Sequence, residues 1–299
     1  MAACSPPDEE PRAPADSASA AARAASLDSV ERRIAAIADS IDGSVGFAAV
    51  HVPSGARLSH NSAQRYPQRS VYKLPIALAV LRRVDARQLR LDSTITVTTA
   101  DFAPMHSPLR DSARGKAVSV TVDSLLSLMV ADSDNTASDV LLRLAGGPDA
   151  VMRDLRELGA MDVRVDRSER ELAAARDAAD ELRDTATPDG MADLLVLIAN
   201  GRGLSGESHR RLLDIMERTR TGPNRIRALL PPGTRVAHKT GTGSPMTNDA
   251  GLVTLPGGAG QIAVVVFVRS TAESVAVRER VIAEMARAAY DYFSATSDR

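Results

Sequence analysis

The 299-residue chain is long enough to bury a substantial core, either as one large domain or as two interleaved lobes. Its formal net charge of −1, with basic and acidic residues interspersed, gives no field to draw in nucleic acid or an acidic membrane surface, and with no Trp, four Phe and four Tyr it offers few rings for stacking on bases. The single cysteine, Cys4, excludes an internal disulfide and a thiolate metal cluster, and His51, His60, His106, His209 and His238 lack paired ligand spacing, so neither a zinc hydrolase nor any other metal or cofactor is expected.

Residues 1–26 are polar and rich in Ala and Pro, a composition that predicts a disordered tail. Nothing near Met1 resembles the apolar part of a secretory signal, and no apolar run approaches the roughly 18 residues that span a bilayer. Small residues precede Cys4; this suits a lipidated cysteine left by a lipoprotein signal as well as it suits an incidental cysteine in a flexible segment. From Leu27 the pattern changes. Leu27, Val30, Ile34, Ile37 and Ile41 form one stripe of an amphipathic helix, with Asp28 and Glu31 at its start. "SVGFAAVHVPSGARLSHN" reads as strand, Pro-Ser-Gly turn and strand. Residues 70–220 are mostly helical: "TVDSLLSLMVAD", "NTASDVLLRLAG", "GPDAVMRDLRELG" and "PDGMADLLVLIANG" are each periodic and punctuated. "TRVAHKTG", "NDAGLVTL" and "QIAVVVFVRS" are strands, and "SVAVRERVIAEMARAAYDYFSA" is a long closing helix. The element order predicts an α/β (α+β) protein of two lobes. A sheet is assembled from residues 27–69 and 221–299, residues 70–220 form an all-helical lobe, and a ligand groove lies between them.

Three short polar motifs interrupt this pattern. In "QRSVYKLPIALAVL", Ser70 and Lys73 are three residues apart and share a helix face. Taken alone, Lys73 is a snorkelling lysine at the edge of a core helix. Ser133-Asp134-Asn135 follows a buried apolar helix, where turn and cap chemistry would also account for it. Lys239-Thr240-Gly241 ends the strand "RVAH", followed by Thr242 and Gly243. Each is weak alone. Their order SxxK, SDN, KTG, placed on a helix start, a helix-to-helix loop and a strand, is jointly specific.

In these motifs the chain resembles the class A serine β-lactamases, relatives of the penicillin-binding proteins. The resemblance runs from about Leu27 to Phe293. It includes "RSEREL" from Arg167 and "RDTATP" from Arg183, which are similar to the family's Ω-loop and its exit, and "RIRA" from Arg225. Tyr72, Asp139 and "HKTGT" look closest to an extended-spectrum subgroup. The resemblance implies a single domain over 27–299, built on an antiparallel five-stranded sheet flanked by the N- and C-terminal helices. It also implies a periplasmic or secreted monomer, lipid-anchored if Cys4 is modified, whose only partner is a small β-lactam.

The same resemblance assigns roles. Ser70, at a helix N-terminus whose dipole favours a developing alkoxide, is the nucleophile, and Lys73, desolvated by "LPIALAVL" and so lowered in pKa, takes its proton. Ser133, aided by Lys239, passes a proton to the lactam nitrogen. The backbone N–H groups of Ser70 and Thr242 form an oxyanion hole, worth roughly 3–4 kcal/mol per donor lost. Lys239, Thr240, Gly241, Thr242 and Arg225 form a cationic, hydroxyl-bearing edge for the substrate carboxylate, and Asn135 orients the acylamide side chain. Glu169 activates the water that frees the acyl-enzyme, which separates a hydrolase from a penicillin-binding carboxypeptidase or a slowly deacylating trap. Three features depart from the family pattern. Ala173 stands where an Asn helps to hold that water. Arg167 and Asp184 are 17 positions apart, two more than is usual, which predicts a wider loop. His106 stands where an aromatic gatekeeper is common, and an exposed loop histidine explains it equally well.

Overall fold

The computed structural model describes residues 15–175, 183–270 and 272–297. Cys4 lies outside them, as does most of the expected Ω-loop insertion. Helix α1 spans Ala15–Ala38 and so begins ahead of Leu27, where the apolar stripe starts. Ala is the strongest helix former, and the alanine-rich run before Leu27 continues the helix upstream without contributing to the stripe.

The expected hairpin follows as β1 (Ser44–His51) and β2 (Arg57–His60). After the short β3 (Tyr66–Pro67), a 3-10 turn over Arg69–Tyr72 leads straight into α2 (Lys73–Asp85). Residues 73–81 of α2 are all buried. A helix apolar on every side belongs in the centre of a core, and α2 packs against four of the helices that follow it. These are α4 (Val122–Ala131), α5 (Asn135–Leu144), α6 (Gly147–Leu158) and α9 (Gly206–Glu217). The short α3 (Pro108–Ala113) and a ribbon of β4 (Thr94–Val97) with β5 (Val118–Thr121) lie between α2 and α4 in the chain. The six-residue α7 (Glu169–Ala174) is followed by β6 (Thr185–Ala186), paired with β3, and by α8 (Pro188–Ala199).

The chain then returns to the sheet through β7 (Val236–Gly243), β8 (Met246–Thr254) and β9 (Gln261–Arg269), and closes with α10 (Val275–Ser297). The five-stranded sheet runs β2-β1-β9-β8-β7, antiparallel throughout, as the family resemblance implies. Both faces are covered. Val264, Val266 and Val268 of β9 face the α1 and α10 side, whereas Ala263, Val265 and Phe267 face the helical side. A strand buried on both faces gains nothing from polar alternation, hence the unbroken "IAVVVFV". β7 is left at one edge of the sheet, against the 3-10 turn that carries Ser70.

Candidate active site

The approach of β7 to Ser70 depends on a glycine. A Cβ at Gly241 would lie 2.3 Å from the carbonyl oxygen of Gln68, so only a residue without one lets the strand abut the turn. Asn248 on β8 fastens the same junction, its amide donating to the carbonyls of Pro67 (2.9 Å) and Gln68 (3.1 Å). Ser70 is thereby held between the N-terminus of α2 and the sheet edge.

Lys73 does not snorkel. It is 0% exposed, and its Nζ donates to the Ser133 carbonyl (2.7 Å) and to Asn135 Oδ1 (2.7 Å), with Glu169 Oε1 at 3.0 Å. Two acceptors and the charge of a nearby carboxylate compensate the burial of an ammonium, which would otherwise be prohibitive. Lys239 is likewise 0% exposed, and donates to Ser133 Oγ (2.8 Å) and to the carbonyl of Thr240 (2.9 Å). Burial, and after it the charge of Lys73, push the Lys239 pKa well below the ordinary lysine range, while Asp249 and Glu169 oppose the shift.

The two lysines meet through the SDN triplet, whose members divide the work. Ser133 adopts a left-handed backbone (φ 60°), which turns its carbonyl to one lysine and its hydroxyl to the other. Asp134 is structural: it caps α5 at the Ala137 N–H (2.8 Å) and accepts from the Leu109 N–H (2.7 Å). Asn135 accepts from Lys73 and donates to the Pro104 carbonyl (3.2 Å), while its backbone N–H donates to the His106 carbonyl. The segment bearing His106 is thus tied to the triplet.

Glu169 opens α7, whose start is fixed by a capping box: Ser168 Oγ accepts from the Glu171 N–H (3.2 Å), and Glu171 accepts from the Ser168 N–H (2.8 Å). Asp139 of α5 accepts from the next two free donors, the N–H groups of Glu169 (2.6 Å) and Arg170 (3.2 Å). Burial raises the Asp139 pKa to about 6 against the pull of those bonds, with a further upward push from Glu169. In the sequence Asp139 marks only a subgroup likeness; its clamp on α7 is a tertiary contact. The expected Arg167–Asp184 ion pair is present, Nε to Oδ2 at 2.6 Å, despite the longer spacing. Asp184 also accepts from the N–H groups of Asp166 (2.7 Å) and Arg167 (3.1 Å), and Asp166 accepts from the Asp184 N–H (2.8 Å). This reciprocal latch closes the base of the loop despite the longer spacing.

These groups surround a cavity of about 660 Å³. Ser70, Ser133, Asn135, Glu169, Thr240, Thr242 and His106 line it. Lys73 and Lys239 lie behind that wall, as does Gly241. Arg225 is placed further back. It is 3% exposed, with Nε on Glu279 (3.0 Å), Nη1 on the carbonyls of Gly241 and Asn248, and Nη2 on Thr242 Oγ1 (2.8 Å). It therefore reaches the cavity through Thr242. Met105, Leu172, Thr221 and Tyr72 also line the cavity, and the sequence gives no signal for the first three as site residues. Ala173 is exposed, whereas Glu169 and Leu172, three apart on α7, face the cavity.

The model of a β-lactamase enzyme family matches residues 29–293. The chain is 32% identical to β-lactamase VEB-1 of Pseudomonas aeruginosa over 278 residues, covering 90% of this chain and 92% of that protein. The crystal structure of the extended-spectrum β-lactamase TLA-1 superposes with a TM-score of 0.85 at 32% identity, over 90% of this chain and 99% of that one. A class A β-lactamase from Bacteroides cellulosilyticus superposes with a TM-score of 0.83 at 27% identity, over 90% and 99%. With a serine-bearing turn, two buried lysines and a loop glutamate converging in this fold, the chain belongs to the β-lactamase enzyme family, as a class A member that hydrolyses β-lactams.

Proposed function

We propose that the β-lactam amide of penicillins and cephalosporins is opened by Ser70 and that the resulting ester is hydrolysed by water activated at Glu169, which confers antibiotic resistance. The observation that carries this reading is the Lys73–Glu169 pair, 3.0 Å apart and buried beside Ser70. A proton handed from the Lys73 ammonium to the Glu169 carboxylate leaves an amine that takes the Ser70 hydroxyl proton as Oγ attacks the lactam carbonyl. The carbonyl oxygen becomes an oxyanion between the backbone N–H groups of Ser70 and Thr242. When the C–N bond breaks, the nitrogen accepts a proton from Ser133, whose Oγ already receives a hydrogen bond from Lys239. The Lys73 ammonium, which now carries the former Ser70 proton, reprotonates Ser133, and the proton held on Glu169 returns to Lys73, leaving a carboxylate again. Glu169 then removes a proton from water as the oxygen attacks the ester, and passes it to Ser70 Oγ as the acyl C–O bond breaks.

Lys239, with one N–H beyond the two bonds it makes, and the Thr240 and Thr242 hydroxyls receive the substrate carboxylate. Gly241 lets that edge close on Ser70, Arg225 aims Thr242, Asn135 and His106 contact the acyl side chain, and no metal takes part. The catalytic unit spans residues 27–299, its cleft lying between the sheet-based and helical parts, and acts as a periplasmic or secreted monomer. TLA-1, by its description an extended-spectrum enzyme, supports bulky oxyimino cephalosporins as substrates, and cefotaxime turnover checks that extension.

Intact-mass spectrometry after a penicillin pulse tests the mechanism. Wild type returns to its free mass. Glu169→Ala accumulates an adduct because deacylation slows by about 10²–10⁴-fold, and Ser70→Ala forms none. A persistent adduct on the wild type overturns hydrolysis in favour of a penicillin-binding trap.

A further inference from the structure

His238 is 0% exposed and has no part in the chemistry above. It precedes Lys239 on β7, so strand alternation sends its side chain to the opposite face, shared with Thr240 and Thr242. Its Nδ1 lies 2.9 and 3.0 Å from the two carboxylate oxygens of Asp249, which is also 0% exposed. To donate there, Nδ1 carries the ring proton. Space for the imidazole comes from Gly251, its partner on β8, where a Cβ would lie 2.5 Å from that of His238. A carboxylate this deep is tolerated only when paired and hydrogen-bonded.

Asp249 does more than hold a histidine. It stands opposite Thr240 in the β7–β8 ladder, and its Oδ2 accepts from the Ile226 N–H (3.3 Å). Residues 219–226 are sewn to β7 at several other points. Thr219 Oγ1 donates to the His238 carbonyl (2.6 Å), the Thr221 and Thr240 hydroxyls are 2.5 Å apart, and Arg225 donates to Thr242. The charged groups acting on Lys239 are Lys73 and Arg225, which favour loss of its proton, and Asp249 and Glu169, which favour its retention. Arg225 is itself paired with Glu279 of α10.

We propose that His238 and Asp249 are positioning residues for the substrate-carboxylate edge. Asp249 holds the segment that aims Arg225 at Thr242 and stands as the buried counter-charge behind Lys239, and His238 keeps the Asp249 carboxylate oriented. The proposal rests on the reading of Lys239 and Thr242 as that edge.

The test compares Asp249→Asn, His238→Leu and His238→Asn in the full chain, with nitrocefin as substrate and thermal unfolding as the control for folding. Loss of a hydrogen bond to a buried charge predicts that Asp249→Asn and His238→Leu raise KM about tenfold, with kcat close to wild type. Asp249→Asn also moves the alkaline limb of kcat/KM to lower pH, because Lys239 loses a counter-charge. His238→Asn, whose amide can replace the Nδ1 donor, restores KM. The proposal is overturned if the Leu and Asn variants at 238 behave alike, or if KM and kcat only follow lost stability while the alkaline limb stays fixed. If Asp249→Asn does not fold, the His238 pair decides alone. Lys239→Met separates the two layers: an unchanged KM there removes the edge reading itself, whereas a raised KM with no effect at 238 and 249 removes only this proposal.

Discussion

Ala173 illustrates how a position acquires meaning from the helix it sits on. The family pattern places a water-holding Asn there, and this chain has an exposed Ala, four positions after Glu169 on α7. Positions four apart share a helix face, so an Asn at 173 stands on the same side of α7 as Glu169. Ala173→Asn should therefore speed deacylation, by up to about tenfold for one added hydrogen bond to the water, and single-turnover kinetics with benzylpenicillin would show it. An unchanged rate would show that the water is held without residue 173. Lys239 carries the opposite expectation. Its lowered pKa results from burial and from Lys73, so the protonated form that binds an anion is lost at lower pH than for an ordinary lysine. The kcat/KM of carboxylate-bearing substrates should fall on the alkaline side through that pKa, and Lys239→Met should abolish the limb.

At the scale of elements, the reactive geometry depends on three packed junctions. The 3-10 turn at Arg69–Tyr72 meets β7 at Gly241, where a Cβ would lie 2.3 Å from the Gln68 carbonyl oxygen. Backbone cannot yield as a flexible side chain does, so Gly241→Ala should separate the nucleophile from the strand. A displacement on the order of 1 Å costs about 100-fold in rate, and the overpacking costs about 1–3 kcal/mol of stability. Nitrocefin kinetics beside urea unfolding would read both; normal activity would show that the junction is loose. The second junction, Asp139 with the first N–H groups of α7, fixes Glu169. The third, the Arg167–Asp184 latch, fixes the base of the loop.

For the molecule as a whole, the Asp139 clamp sets stability against function. Its folded pKa of about 6 lies above the ordinary 3.8, so the native state binds a proton more tightly than the unfolded chain does. A raised carboxyl pKa contributes stability below the unfolded value that is lost as pH rises through the folded one. Here the loss falls between about pH 4 and 6 and amounts to about 3 kcal/mol. Asp184 is shifted the same way, chiefly by burial, whereas exposed Asp92 and half-buried Asp101 are lowered by their hydrogen bonds and act in the opposite sense. Asp139→Asn removes one of these terms. The variant should be more stable relative to wild type at pH 7 than at pH 4, measured by urea unfolding, and should deacylate more slowly because an amide accepts only one of the two N–H groups.

The sequence by itself determined the two-ended sheet and the helical middle and, through the family resemblance, singled out Ser70, Lys73, Ser133, Glu169 and Lys239 as one candidate constellation. Periodicity reports which face of an element is buried, and motif order reports which turns carry chemistry. The short pieces were not legible: the β3–β6 and β4–β5 pairs and α3 are too brief to show a period, and the upstream part of α1 has helix propensity without a stripe. Tertiary structure alone decided that Lys73 is buried with two acceptors and a carboxylate rather than snorkelling, that Arg225 reaches the cavity through Thr242, that Asp139 clamps α7 and that His238 is paired with Asp249. Each depends on a contact between residues distant in sequence, through a geometry that local pattern does not encode.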